Sequence, residues 1–187
     1  MAMPPGIRKL ALTAHVASSV GWLGSVAAFL ALAVIGVSGQ EPQRVRGAYF
    51  GMAAVGWYVI VPLAFASLLT GLVQSLGTTW GLFRHYWVLA KLVLTALATF
   101  LLLLHMQVAD RVSATAARRD LAASDLNGLR IQLIADAAAA AVVLLTTTAL
   151  SIYKPRGVTP YGWRAQQAHR PDRQAQAERD AELPAHA

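Results

Sequence analysis

Four long apolar segments dominate the sequence, and polar residues gather in the connections between them. The apolar segments cover residues 10–37, 49–76, 86–108 and 129–153. Each one reaches the length of about 20 residues that an α-helix needs to cross the hydrocarbon of a bilayer. The pattern therefore predicts four transmembrane helices. Because the number of crossings is even, both termini are expected at the same membrane face, here called the terminal face; the opposite one is the loop face.

Two short connections constrain how these helices are arranged. Residues 38–44 contain Gly39 and Pro42, which interrupt helices, and the connection at residues 77–85 is equally short. Short connections force consecutive helices to lie side by side and antiparallel. The sequence thus predicts an all-α fold, a four-transmembrane-helix antiparallel bundle. Within the second helix, Pro62 is expected to cause a bend because it removes a backbone donor.

The third connection and the C-terminal tail are polar. Residues 109–128 carry several charges and are compatible with a helix at the membrane surface. The tail contains few apolar residues, so it cannot bury enough surface to offset the entropy lost on ordering. We therefore predict a membrane domain over residues 1–163 and a disordered polar tail over residues 164–187.

Composition supports a membrane protein and excludes several functional classes. Hydrophobic residues make up 56% of the chain and charged residues only 13%, which is too apolar for an ordinary soluble domain. There is no cysteine, which excludes disulfides, thiolate metal sites, cysteine nucleophiles and covalently attached c-type haem. The 16 basic residues are dispersed rather than clustered as in nucleic-acid-binding proteins. We expect the lipid bilayer as a partner and no nucleic acid.

The basic residues near the helix ends do not orient the chain, because the two membrane faces carry equal numbers of them. The tail adds three further arginines on the terminal side: Arg170, Arg173 and Arg179. These favour a cytoplasmic location for both termini.

Ionisable side chains inside the predicted spans are the first candidates for function, because charge in lipid is costly unless it is partnered. His15 and Lys91 both lie roughly 8–9 Å from the terminal face, at a rise of 1.5 Å per residue. They can therefore be neighbours, and Gln74 and His85 would enrich the same layer. Alternatively, His15 bonds a carbonyl or Gln74, and the Lys91 side chain extends to the lipid headgroups.

A second layer is predicted near the loop face. There His105 and Asp136 lie roughly 5 and 10 Å deep and can also meet. A carboxylate that holds an imidazole occurs in proton relays and metal sites. Two ligands are too few for zinc or copper. We therefore expect the pair to be buried and to form a charge-assisted hydrogen bond that links the third and fourth helices.

Histidines on facing helices suggest a haem site, because imidazoles of membrane bundles hold haem iron axially. His15 and His105 belong to opposite layers and are poorly placed to share one iron. A single haem would need His15 with His85, or one histidine with a weaker or vacant second position. Lys91 would then pair with a propionate or act as a ligand. No other metal site is expected.

Several runs of this sequence resemble a known family. The first span contains KLALTAH at residues 9–15 and WLG at residues 22–24, and the third contains WVLAKL at residues 87–92. Together with LSIYKPRGVTPYG at residues 150–162, they resemble a family of bacterial integral membrane proteins known only as a domain of unknown function. The resemblance covers about residues 7–163 and implies a multi-pass protein of the bacterial plasma membrane.

A more distant similarity concerns the order of His15, Trp22, Lys91 and His105 along the chain. It is similar to the pattern of the membrane-bound protoporphyrinogen oxidases and of the copper-resistance protein D group. In the oxidases the histidines and the lysine of such motifs are associated with haem, which would map here onto His15, Lys91 and His105. The resemblance therefore implies haem b as a cofactor.

Two functional classes remain open at this stage. The first is a haem b protein with a redox or haem-related role and His15 as its first-choice ligand. The second is a non-enzymatic membrane component: a scaffold, an accessory subunit or a small transporter, with another membrane protein or a second copy as its partner. Proton or metal-ion transport is disfavoured because no continuous row of carboxylates connects the two layers.

Overall fold

The computed structural model describes residues 3–77, 82–83, 85–117, 125–153 and 157–168. Its helices are, in chain order, α1 (Pro5–Ser38), α2 (Pro42–Val55), α3 (Val61–Gly77), α4 (Tyr86–Ala117), α5 (Asp125–Tyr153) and α6 (Pro160–Ala168), and a π-helical segment, Gly56–Ile60, joins α2 to α3.

Four helical stretches are long and apolar enough to cross a membrane, and they are Pro5–Ser38, Pro42–Gly77, Tyr86–Ala117 and Asn127–Tyr153. The predicted all-α bundle of four spans is therefore confirmed. α1 packs against the second span and α5, and α4 packs against the same two neighbours on the other side. The spans thus form a closed ring in which each helix lies beside its neighbours in the chain.

Backbone contacts gather the ends of the spans at the terminal face. The Met3 amide donates to the Gly77 carbonyl at 3.4 Å, which holds the start of the chain against the end of α3. His85, just before α4, forms an antiparallel bridge with Val158, just after α5. The beginning of the first span and the end of the fourth therefore lie at the same end of the bundle.

The helices extend further at the loop face than the apolar segments do. The second span begins at Pro42 rather than at residue 49, because proline is well suited to the first turn of a helix. α4 continues to Ala117, nine residues beyond the predicted end at residue 108. Its 32 residues span about 48 Å, which exceeds the hydrocarbon thickness of about 30 Å. Of the predicted surface helix in the third connection, residues 118–124 lie outside the described residues.

A π-helical segment, Gly56–Ile60, ends two residues before Pro62, where the sequence predicts a bend. The Val61 amide donates to the Gly56 carbonyl, five residues earlier instead of four. Since Pro62 has no amide hydrogen, the regular bonding pattern is interrupted at this point, and the π-helical turn adjusts to it. Gly56 also allows close packing, because a Cβ there would overlap the Met106 methyl group.

The predicted tail is helical where it begins. α6 extends to Ala168, so residues 164–168 are helical rather than disordered. The Thr159 hydroxyl caps α6 by accepting a hydrogen bond from the Gly162 amide at 3.1 Å, and it donates to the Phe83 carbonyl. The rest of the predicted tail, residues 169–187, lies outside the described residues.

Candidate functional site

The spans bury side chains over only part of their length. Within the described parts of the four spans, none of residues 5–17, 68–77, 86–98 and 148–153 is buried. Only 6% of the most apolar window of α4 is buried inside the protein, against 28% for α1. We call the end of the bundle formed by residues 5–19, 67–77, 85–99 and 147–153 the polar half. We call the rest of the bundle the apolar half.

Large apolar side chains fill the apolar half. Among the described residues, the largest fully buried side chains are all found there: Trp22, Tyr49, Met52, Met106, Val112 and Leu133. Side chains of this size exclude water from the interior of a bundle. The interior of the bundle therefore differs between its two ends, because the large buried apolar side chains lie at one end only.

His15 is held against α3 in the polar half. Its Nδ1 lies 3.1 Å from the Ser67 carbonyl oxygen and 3.1 Å from the Thr70 hydroxyl. A carbonyl can only accept, so Nδ1 carries a proton and donates to Ser67. The Cε1 atom of His15 lies 3.0 Å from the position of a Cβ at Gly71, so the ring packs directly on the α3 backbone. This arrangement fixes the orientation of the imidazole.

Lys91 occupies the same half. Its Nζ donates a 2.5 Å hydrogen bond to the Ser151 hydroxyl of α5, and it lies 5.7 Å from the centroid of the Trp87 ring. The Lys91 side chain therefore links α4 to α5 within the bundle. The alternative, in which it extends to the lipid headgroups, is not the arrangement seen.

His85 and Gln74 take different positions in this layer. The backbone of His85 pairs with Val158 at the terminal face, and its ring lies 6.3 Å from that of Trp87. His85 is therefore at the edge of the polar half, whereas His15 bonds to α3 deeper inside. Gln74 carries a buried side-chain nitrogen, Nε2, that has no hydrogen-bond partner among the described residues.

Sequence reasoning missed the hydroxyl groups that line this half. Each span buries one of them, and they are Ser18, Ser67, Thr99 and Thr147. Most of these hydroxyls donate to a carbonyl of their own helix, and Ser67 pairs with Ser19 at 2.8 Å. Such bonds leave oxygen lone pairs free to accept further hydrogen bonds. Helical spacing could have predicted part of this lining, because Ser67, Thr70 and Gln74 lie on one face of α3.

The second layer contains the other two candidates. His105 Nδ1 and Asp136 Oδ2 are 2.9 Å apart and join α4 to α5. The His105 ring lies 5.4 Å from that of Phe29, and its Nε2 is buried with no hydrogen-bond partner in the described part of the chain. The His105 side chain is 10% exposed, but that of Asp136 is 43% exposed. The expectation that both members are buried is therefore wrong for Asp136, because it lies at the outer rim of the contact between the helices.

The two layers are too far apart to act on one bound group. Phe29, which contacts His105, follows His15 by 14 residues along α1, and His105 follows Lys91 by 14 residues along α4. Each separation corresponds to about 21 Å of helix. Two axial ligands of one iron must lie within a few ångströms of each other. His15 and His105 therefore cannot hold the same haem iron.

Among the described residues, no group of three or more histidine and acidic side chains is arranged to hold a metal ion. Taken together, the four spans and the polar half define a multi-pass, all-helical membrane protein. No protein-family model, curated protein or solved structure matches the chain.

Proposed function

We propose that this protein binds haem b in the polar half, with His15 as axial ligand, in the plasma membrane of a bacterium. The observation that carries the proposal is the hydrogen bond from His15 Nδ1 to the Ser67 carbonyl. Histidines that ligate a metal usually donate their other ring N–H to a carbonyl or carboxylate. The bond also leaves the lone pair on Nε2, which is the atom that would ligate the iron.

The surroundings of His15 fit a haem with one protein ligand. The side chains around His15, which include Thr70, Gln74 and Lys91, are only half-buried. Lys91 supplies a positive charge and Gln74 a buried amide donor, both suited to the carboxylates of haem. His105, which is a layer away, and His85, which lies at the edge, would not help His15 to hold the group.

Haem supplies one-electron chemistry when it is bound, and the proposed role is redox or haem-related. The residues of the chain would orient the group rather than react. Ser67 fixes the tautomer and orientation of His15, and Lys91 balances negative charge. The large apolar side chains beyond Trp22 separate the site from the loop face.

The test is an absorption spectrum of detergent-purified protein, oxidised and dithionite-reduced, after expression with haem supply ensured. We expect a Soret band and reduced α and β bands in the wild type and their loss in His15→Ala. His105→Ala is the matched control, since this histidine lies in the other layer, and it should keep the spectrum. A wild-type protein that shows no Soret band refutes the proposal.

One observation favours a second function, that of an accessory subunit or scaffold. Asp136 lies within the fourth span and yet its side chain is 43% exposed. Exposed carboxylates are costly at membrane depth unless another group covers them. A second membrane protein or another copy of this chain would do so at the α4–α5 rim. Cross-linking from Ala135→Cys, on the exposed side of α5, would capture such a partner, and an uncross-linked monomer in native membranes would argue against it.

A further inference from the structure

A partly open cavity of about 350 Å³ lies at the loop face, where the first span turns into the second. Its lining residues are Ile35, Ser38, Gly39, Gln40, Glu41 and Arg44. All of them belong to the end of α1, the start of α2 and the short connection between the two helices. Binding sites for small ligands occupy about 300–1,000 Å³, so a cavity of this size suits a small group such as a lipid headgroup.

The cavity lies at the level of the membrane boundary. The Tyr49 hydroxyl bonds to the Gly36 carbonyl, so these two residues lie at the same depth. The first apolar segment ends at residue 37 and the second begins at residue 49. Ile35 is thus on the hydrocarbon side of this level, and residues 38–44 lie beyond it, where the polar headgroups of a bilayer are found. A ligand that fits this position has a polar part and an apolar part, as a phospholipid does.

Glu41 and Arg44 bring opposite charges to the walls of the cavity. Both are exposed, and neither side chain forms an ion pair or a hydrogen bond with another described residue. The two signs together disfavour a simple anion or a simple cation, because one of the two side chains would repel it. A molecule that carries both a phosphate and an ammonium satisfies both side chains, with the phosphate at Arg44 and the ammonium at Glu41.

The helix ends beside the cavity favour the same arrangement. α1 presents its last carbonyl groups there, the negative end of the helix dipole, and it carries no basic residue in its last turn. α2 presents its first amides, the positive end, and it carries no acidic residue in its first turn. A cation such as Arg44 is unfavourable at this end of a helix unless an anion accompanies it. The backbone thus favours an ammonium near α1 and a phosphate near α2.

Gly39 holds the two walls of the cavity in a fixed position. Its amide donates to the Ile35 carbonyl at 2.9 Å. A Cβ at this position would lie 2.6 Å from that carbonyl oxygen and 2.8 Å from Val45 Cγ2, so the connection packs tightly against both helices. A site whose walls are already in place loses less conformational entropy when it binds a ligand.

We propose that this cavity binds the headgroup of a phosphoethanolamine phospholipid, a lipid with a primary amine, from the leaflet at the loop face. Arg44 holds the phosphate, and Glu41 accepts hydrogen bonds from the ammonium, which a trimethylammonium group could not donate. The site therefore selects this lipid over phosphocholine lipids, and over anionic lipids that lack the amine. The proposal is independent of haem binding, because Ser38 follows His15 by 23 residues, which is about 34 Å of helix.

The chain contains no cysteine, so a single introduced thiol can report on the cavity. Full-length protein with Ser38→Cys is reconstituted in nanodiscs, and its rate of reaction with a water-soluble maleimide is measured. Ser38 is an exposed residue in the wall of the cavity. Gln43→Cys is the matched control, since Gln43 is exposed nearby but does not line the cavity. The nanodiscs contain phosphatidylcholine alone, or with half of it replaced by phosphatidylethanolamine or phosphatidylglycerol of the same acyl chains.

We expect phosphatidylethanolamine to slow the labelling of Ser38→Cys about tenfold, which corresponds to a site occupied about nine-tenths of the time. Labelling of Gln43→Cys should change less than about twofold. Phosphatidylglycerol should not protect Ser38→Cys, and neither should soluble glycerophosphoethanolamine, because it lacks the acyl chains that keep the lipid in the membrane. Equal labelling of Ser38→Cys in all three lipid compositions, equal protection by phosphatidylglycerol, or equal protection by the soluble headgroup overturns the proposal.

Substitutions of the two charged residues test their separate roles. In the Ser38→Cys background, Glu41→Gln should abolish the protection by phosphatidylethanolamine, because the ammonium loses its anionic partner. Arg44→Gln should abolish it as well, because the phosphate is no longer held. Arg111→Gln is the matched control, since it removes an exposed arginine that does not line the cavity, and it should keep the protection. Protection that persists in Glu41→Gln or in Arg44→Gln would refute the assignment.

Discussion

The Tyr49 hydroxyl donates a 2.7 Å hydrogen bond to the Gly36 carbonyl, and the Tyr49 ring occupies the space that a side chain at position 36 would need. A Cβ at Gly36 would come within 2.7 Å of Tyr49 Cε1. Because Tyr49 is 1% exposed, its ring has no room to move away. At this point α1 and α2 therefore approach each other closely because residue 36 is glycine.

We predict that Gly36→Ala destabilises the protein by about 1–3 kcal/mol, the usual cost of overpacking a filled interior. Gly24→Ala is the matched control in the same helix, because no atom lies within 4 Å of a Cβ at that position. The control should be neutral or stabilising, since alanine favours a helix over glycine by about 1 kcal/mol. The free energy of unfolding in mixed micelles measures both, and equal values for the two variants would contradict the steric argument.

Tyr49→Phe separates the hydrogen bond from the packing. The ring stays in place, and the hydroxyl loses both its bond to the Gly36 carbonyl and its interaction with the Arg130 side chain. We expect a loss of about 1 kcal/mol in the free energy of unfolding. The same variant should restore little of the stability of Gly36→Ala, because the clash involves ring carbons as well as the hydroxyl. Full recovery in the double variant would mean that the hydroxyl alone sets the distance between the helices.

The apolar segments were sufficient to predict the four spans, because only helices satisfy their backbone groups inside lipid. The depth of each residue below the loop face, counted along its helix, was also enough to predict that His105 and Asp136 can meet. Burial was not predictable in this way. Asp136 lies at the right depth but on the rim of α5, and side-chain exposure depends on how the helices are rotated, which the sequence does not reveal.

The hydroxyl lining was missed for a different reason. Serine and threonine in transmembrane helices usually bond to their own backbone, so a single one such as Thr99 carries little information. The lining became evident only from the packed bundle, in which each span buries one hydroxyl. The extension of α4 beyond residue 108 was likewise invisible to hydropathy, because a polar helix outside the membrane has no apolar signal.

The contact between His105 and Asp136 should contribute to stability through coupling between the two side chains. In a double-mutant cycle of His105→Phe and Asp136→Asn, we expect a coupling energy of about 0.5–2 kcal/mol, since hydrogen bonds between transmembrane helices are modest. Denaturation in mixed micelles provides the four free energies. A coupling energy of zero would show that the 2.9 Å contact does not lock α4 to α5.

Trp57 and Asp110 form a second contact that involves a carboxylate, and it can be compared with the contact between His105 and Asp136. The Trp57 indole N–H donates to both carboxylate oxygens of Asp110, at 3.0 and 3.1 Å. Trp57 is 41% exposed and Asp110 is exposed as well, so surrounding polar groups compete for the same bonds. Trp57→Phe should therefore cost less than about 0.5 kcal/mol. A loss as large as that of Tyr49→Phe would mean that this contact is shielded by a neighbour.

Thr159 should control the attachment of the segment after the fourth span. Its hydroxyl both caps α6 through the Gly162 amide and donates to the Phe83 carbonyl next to the start of α4. Thr159→Val keeps the shape and removes both bonds, and loss of an N-cap alone costs about 1 kcal/mol. We expect faster amide hydrogen exchange in residues 160–168 with little change in the spans. Thr13→Val is the control, because its exposed hydroxyl bonds only within α1. Unchanged exchange in α6 would show that the His85–Val158 bridge alone holds this segment to the bundle.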